Sequence, residues 1–441
     1  MLRVAEVSVS IAIWVAVLAF GGTSPPFFFI AQVIILGLGV LLLAVSLLGP
    51  VAAVRFPVTA PLFLLVWVLL QVVPLGRHAP NTLSIAPYQT ISHLLLLVTY
   101  LTAFYEILLV SEDPNAKRRL VYALVALGAF EAFYGLVQYL TGWQHIFAYA
   151  KKYYLEEATG TYINRNHFAG FLEMVLPFTV ALALLRARNL RRVAHQRKAK
   201  LRSLLSAPEL LPLIFFLFLA VAIFTALIFS RSRMGIISGA VSIVVVLSLT
   251  GTSSVSKWTR LAAAVLLLLG VIGGVIWVGT DPVVMRFETL GREYDQSGQN
   301  RVSIWHDTVK LIRQRPVVGT GLGTFSIAYT SVQTSFLTHL VDHAHCDYLE
   351  LVSDLGVPGG IAVFGSILWI LARAVQRYRK TQDRFAAAIY LGCIGGIVAI
   401  LVHSLADFNL YIPANALVFT VTLALAAGER RSLAAVFDAD A

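Results

Sequence analysis

Apolar runs close to twenty residues long recur along this chain almost without interruption, and few folds accommodate that pattern. Each run is long enough to cross a ~30 Å hydrocarbon core as a helix. They lie near 8–20, 28–48, 58–75, 91–111, 119–141, 167–186, 210–230, 234–250, 261–279, 355–376, 385–404 and 415–428. They do not alternate polar with apolar residues as the strands of a membrane barrel do. Of the 441 residues, 58% are hydrophobic and only 13% charged, against roughly twice that charge in a soluble domain. The expected fold is an all-α integral membrane protein with about twelve transmembrane helices.

The long break in the apolar pattern is Asp281–Leu355. It carries Arg286, Arg292, Arg301, Arg313 and Arg315 and ends in His343-Ala344-His345-Cys346-Asp347-Tyr348-Leu349. A membrane protein that gathers its hydrophilic residues in one loop does its chemistry there. The expected organisation is therefore residues 1–280 as nine spans, 281–355 as a large loop containing helices, and 356–441 as three further spans and a tail. The basic residues assign sides. With the N-terminus inside, roughly two thirds of the 34 lysines and arginines fall in inner segments, and it is the short loops that govern orientation. Both termini are then cytoplasmic and the long loop is external.

The net charge of +11 thus reports orientation and contact with membrane lipids, not nucleic acid. Met1-Leu2-Arg3 before an apolar stretch is similar to a signal peptide. No convincing small-residue cleavage site follows, and Gly21–Pro26 reads as a turn between two spans. Cys393 sits in an apolar run and Cys346 in the loop, which argues against a disulfide between them.

Candidate site residues cluster in the external links. Ser230–Gly235 is a very short one carrying Arg231 and Arg233, which topology disfavours. Arg233 opens a span, and an arginine beside free helix N–H groups suits a phosphate. Arg231, two residues away, points to a different face. Arg301 opens a helix whose Val302, Trp305, Val309 and Ile312 share one side, and it is again placed for an anion. Gly319–Thr324 is only superficially a phosphate loop, with no strand before it and no Lys-Ser/Thr after it; it reads as a flexible turn. A zinc site at His343, His345, Cys346 and Asp347 lacks a second ligand cluster. A histidine at a helix start near arginines suits a general base. Glu106, Glu131 and Glu173 lie within spans, each a functional candidate or a helix-packing hydrogen bond. Only Glu173 is in the outer half.

Several motifs together resemble the O-antigen ligase and polymerase superfamily of bacterial envelope glycosyltransferases. They are Gly160-Thr-Tyr-Ile-Asn-Arg-Asn-His-Phe-Ala-Gly170, Ser232-Arg-Met-Gly235, Arg301 with Trp305, Arg315–Phe325, His345-Cys-Asp-Tyr-Leu349 before Gly356, and Asp407–Asn415 with His403 one turn earlier. The resemblance covers about residues 120–428. It implies a C-type glycosyltransferase-like fold that moves a glycan from undecaprenyl pyrophosphate on the periplasmic face, with the long loop periplasmic and the protein in the bacterial inner membrane. By motif, the family's phosphate-binding arginines fall on Arg233 and Arg301 and its essential histidine on His345. Arg231, Arg165, Asn166, His343, Glu173 and Asp407 are further candidates. Cys346 stands where relatives often have Asn.

The first external loop has no acid, and the only Asp-x-Asp is Asp438–Asp440 in the tail. An external divalent-metal site therefore has no obvious ligands, and neither metal nor cofactor is expected. The expected partners are the undecaprenyl-pyrophosphate-linked glycan donor and an acceptor, either lipid A core (the ligase reaction) or a second lipid-linked glycan (the polymerase reaction), with the ligase preferred. A transporter or flippase of lipid-linked glycan is the rival class. It calls for midplane charges and paired broken helices, which the sequence does not clearly show.

Overall fold

The computed structural model describes residues 2–23, 25–48, 57–75, 82–196, 207–250, 299–334 and 340–428. Its helices are α1 (Leu2–Leu18), α2 (Pro25–Leu48), α3 (Thr59–Val72), α4 (Pro87–Val110), α5 (Pro114–Thr141), α6 (Arg165–Gln196), α7 (Leu210–Phe229), α8 (Arg233–Leu249), α9 (Gln299–Gln314), α10 (Phe325–Tyr329), α11 (Asp347–Lys380), α12 (Arg384–His403) and α13 (Pro413–Ala427). A two-stranded hairpin, β1 (His145–Ile146) and β2 (Tyr149–Ala150), stands between α5 and α6.

Local chemistry sets several starts. The side chains of Asp113, Ser232 and Asp383 accept from the first free N–H groups of α5, α8 and α12, which offsets the unpaired donors of a helix N-terminus. Proline in the first turn, where its missing N–H costs nothing, begins α4, α5 and α13. Helices stand at eleven of the twelve expected spans. The remaining one, 261–279, lies outside the described residues, as do Arg286 and Arg292. Seven helices among the described residues are long and apolar enough to cross a membrane.

The centre of the bundle is α6. Of its most apolar stretch, 89% is buried inside the protein, against 22% for α2, so α6 is wrapped by other helices while α2 faces outward. It packs on α12, α7, α8, α5 and α13. Gly392 and Gly395 of α12 lie against Phe178 and Pro177 of α6, where an added Cβ would overlap the neighbour. Small residues at such crossings let two backbones approach closely.

The two ends of the bundle differ chemically. One gathers basic side chains. Arg119 forms a two-pronged ion pair with Glu6, at 2.5 and 2.6 Å. Arg186 meets Glu209 at 3.2 Å, and Arg377 donates to the Ala426 carbonyl at 2.8 Å. The other end gathers loops. The Thr161 hydroxyl donates to the Val17 carbonyl at 3.0 Å, and the Asn415 amide to the His167 carbonyl at 2.8 Å. All the candidate residues of the external links lie at this second end.

Two expectations need correction. The helix opening at Arg301 exists as α9, but its buried side is Ile304, Asp307, Thr308 and Leu311, while Val302 is 54% exposed. The reason is that Ile304 and Leu311 pack with Phe325 and Tyr329, and Asp307 accepts from the backbone and hydroxyl of Thr334 at 2.9 Å. The glycine turn Gly319–Gly323 is firmly held. Its backbone crosses α11 and α4 so closely that a Cβ at Gly319 would strike the Asp354 carbonyl and one at Gly323 the His93 ring. Gln71 clamps it, donating to the Val318 and Asp354 carbonyls and accepting from Leu322 N–H at 3.1 Å.

Candidate active site

The turn before α11 carries His345 and is fixed from three directions. Trp305 Nε1 of α9 donates to the Ala344 carbonyl at 3.0 Å, and the Ala344 N–H donates to Glu350 Oε2 at 2.7 Å. His343 Nδ1 and Glu350 Oε1 lie 2.7 Å apart. The Asp347 N–H donates to the carbonyls of Ser404 and Asp407, each at 3.1 Å, while the Ser404 hydroxyl donates to the Asp347 carboxylate at 2.6 Å. These bonds tie segment 404–410 to the first turn of α11. They also hold His345 at φ 51°, a left-handed conformation that costs a non-glycine residue about 1–3 kcal/mol and persists only where the surroundings over-determine it.

His345 Nδ1 faces Asp407 Oδ1 at 3.9 Å; His345 is 35% exposed at its side chain and Asp407 is buried. The other oxygen, Asp407 Oδ2, lies 3.7 Å from His403 Nε2, and His403 Nδ1 lies 2.9 Å from Glu173 Oε2. The Ser238 hydroxyl of α8 donates to that same Glu173 oxygen. Burial alone would raise the Asp407 pKa. The approach of His345 and His403 outweighs it and holds the carboxyl well below the usual range. Phe408 is the packing hub: His343 stacks on its ring at 4.0 Å, and His167 and His345 meet it edge-on at 5.0 Å. For His343, burial would lower the pKa, but the Glu350 carboxylate outweighs it and raises it above the ordinary value.

Arg301, in the first turn of α9, donates to the Ala406 carbonyl at 3.0 Å, one residue from Asp407. Arg165 opens α6, pairs with Glu157 and lies over the Tyr154 ring at 5.2 Å. Burial foremost raises the Tyr154 pKa, and the ring also feels Arg165, Asp407, Glu157 and Arg301, so the loop after the hairpin closes over the same chamber. Arg233 is the first residue of α8, whose Gly235 packs on Ala169 of α6. Arg231 sits at φ 54° and turns to Glu156 at 3.1 Å. Asn166 is half-buried, its N–H bound to Asn164 Oδ1 at 2.8 Å.

The structure thus brings His345, Asp407, His343, Arg301 and Arg165 to one end and one chamber, with Glu173 buried behind them, and pairs Arg231 with Glu156 in the loop after the hairpin. Glu131 is a packing residue, accepting from the Thr161 N–H and hydroxyl at 2.9 and 2.6 Å. Glu106 is remote, on α4. Sequence reasoning missed the roles of Glu350, Asp347 and His167 and the bond between His403 and Glu173. The i,i+4 spacing of His403 and Asp407 was the one available signal. Cys346, buried and free, makes no side-chain cap to α11. Beside the chamber an apolar cavity of about 650 Å³ runs between α3, α4, α11 and α13, with His93, Leu322 and Tyr411 among its lining residues.

Apolar helices with one chemically equipped end define a multi-pass membrane protein. Residues 218–364 match the family model described as O-Antigen ligase. The matched stretch is a third of the chain and contains Arg233, Arg301 and His345. No curated protein matches the chain.

Proposed function

We propose that the protein transfers a glycan from undecaprenyl pyrophosphate to an acceptor hydroxyl on the periplasmic face of the inner membrane, as an O-antigen ligase whose acceptor is lipid A core. The observation that carries this reading is the pairing of His345 with buried Asp407 beside Arg301. With Nδ1 turned to the carboxylate, His345 Nε2 is the nitrogen left for the acceptor. It takes the hydroxyl proton as the acceptor oxygen forms its bond to the anomeric carbon. The bond from that carbon to the diphosphate breaks, the diphosphate leaves with the electron pair, and the configuration inverts. Asp407, its carboxylate 3.9 Å from Nδ1, stabilises the imidazolium that forms by its negative charge, as an acid beside a catalytic histidine does.

Arg233 and Arg301 neutralise the charge that develops on the departing diphosphate. The donor is already activated, so the reaction calls for no nucleotide, and this reading assigns it no metal. The apolar cavity that includes Tyr411, whose ring centre is 5.5 Å from that of His343, suits the polyprenyl tail. Twelve spans with both termini cytoplasmic put the chamber outside.

The test is in-vitro transfer of a polyprenyl-diphosphate-linked glycan, offered lipid A core and a second lipid-linked glycan in parallel. Product on lipid A core supports the ligase. Product only on the second glycan makes the protein a polymerase. Movement of donor across a bilayer with no transfer to either overturns the enzyme reading.

A further inference from the structure

The mechanism above uses His345 and Asp407 and leaves a second buried pair without a task. Glu173, in the third turn of α6, and His403, the last residue of α12, are both fully buried and joined at 2.9 Å across 230 residues of sequence. His403 lies between two carboxylates, with Nδ1 toward Glu173 and Nε2 toward Asp407. A neutral imidazole has one N–H. If that hydrogen is on Nδ1, the Nε2 lone pair faces an Asp407 oxygen; if on Nε2, the Nδ1 lone pair faces Glu173. With both acids ionised, the imidazolium serves both sides, donating to Glu173 and facing Asp407 at 3.7 Å. Glu173 is oriented for this by Ser238, whose hydroxyl donates to the oxygen that meets His403.

We propose that Glu173 and His403 are a positioning pair which acts through Asp407 to set the pH range in which His345 accepts a proton. This rests on the proposed role of His345. In this proposal Glu173 and Asp407 are carboxylates and His403 is the imidazolium between them, and His345 sits at the open end of the row. His167, His343, Asp347, Tyr154 and Arg301 also face Asp407 from other elements. None of them is hydrogen-bonded to His403 or Glu173. The pair can therefore be altered without directly removing another contact of His345.

The sign follows from charge. A negative neighbour strengthens proton binding by His345, so the neutral base appears only at higher pH; a positive neighbour does the reverse. Glu173→Gln removes a negative charge and leaves His403 opposite Asp407. The acid limb of the rate profile should then move to lower pH. His403→Gln removes the positive charge that offsets Asp407, and the limb should move to higher pH. Each shift should be about half a pH unit or more, the size expected for a charge several ångströms away at protein-like screening. Glu173→Asp keeps the charge and should return the limb toward its original position.

The experiment measures release of polyprenyl diphosphate from a polyprenyl-diphosphate-linked glycan, with acceptor present, from pH 5 to 9. It compares the full-length protein with these three variants at matched folding, judged by size-exclusion profile and thermal unfolding. Opposite shifts for Glu173→Gln and His403→Gln support the pair. Profiles that fall in height without moving overturn it, because a merely structural loss lowers activity equally at every pH. Ser238→Ala, which loosens Glu173 without changing charge, serves if a charge variant does not fold. A limb displaced from that of the unaltered protein supports the pair, and an unmoved limb overturns it. His345→Ala separates the two levels: near-normal release by that variant removes the base itself, whereas a lost base with unmoved limbs in the pair variants removes only the pair.

Discussion

The indole N–H of Trp305 donates to the carbonyl of Ala344 at 3.0 Å, so a helix of the long loop holds the residue that precedes His345. Because His345 occupies a left-handed conformation, it needs such support from outside its own turn. Trp305→Phe keeps most of the ring and removes the donor. The expected cost is about 1 kcal/mol of stability. Turnover should fall by more than that loss implies, because the turn relaxes toward an ordinary backbone. A Trp305→Phe protein with unchanged turnover in a donor-release assay would show that the bond does not position His345.

His345→Ala should leave donor binding largely intact and lower turnover by about 10²–10⁴-fold, the usual contribution of a placed base. Arg301→Ala should weaken both binding and turnover. Arg233→Lys should also fail substantially, because an ammonium keeps the charge and loses the planar fork that grips two phosphate oxygens. Arg231, which turns to Glu156, is the control, and Arg231→Ala should keep most activity. Binding and turnover of the four variants at equal expression decide the assignment; a dead Arg231→Ala beside an active Arg233→Ala reverses it.

The His343–Glu350 pair predicts a pH-dependent stability. The folded pKa of His343 is raised above its ordinary 6.5. The pair's contribution is therefore complete below that value and is lost as pH rises through the folded pKa. Thermal unfolding in detergent should show a midpoint that declines from pH 6 toward pH 9. The decline should be shallower in Glu350→Gln, and equal slopes in the two proteins would exclude this origin.

Transfer should survive chelation. The first external loop has no acid and the only Asp-x-Asp of the sequence lies in the tail, and the proposed reaction places its charge on arginines. Activity measured with excess EDTA should match that without. Loss on chelation with recovery on adding Mg²⁺ or Mn²⁺ would mean that the donor's charge is met differently.

Much of the helical order was legible because hydropathy and length decide it. Helices such as α4, α7 and α12 begin and end within a few residues of their apolar runs. His345 and Arg301 were legible as a histidine and an arginine at helix starts in a polar loop. Asp407 was legible only through its motif. The bond of His403 to Glu173 was not, because it joins residues 230 apart through packing of α6 on α12, and no local spacing encodes a helix crossing. The facing of α9 was misread for a related reason. Its spacing put Val302 on the apolar side, but the helix packs on α11 and α10, and Ile304 and Leu311 are the residues buried there while Val302 is exposed.

The ion pair of Glu6 with Arg119 bears on how the chain is made. Glu6 is buried in α1, and its partner lies 113 residues later. At ~5–20 residues per second of synthesis, the first helix waits on the order of 6–20 s with an uncompensated carboxylate near its start. The pair can close only once α5 has been made, so the contact that fixes the start of α1 is supplied by the fourth helix after it in the chain.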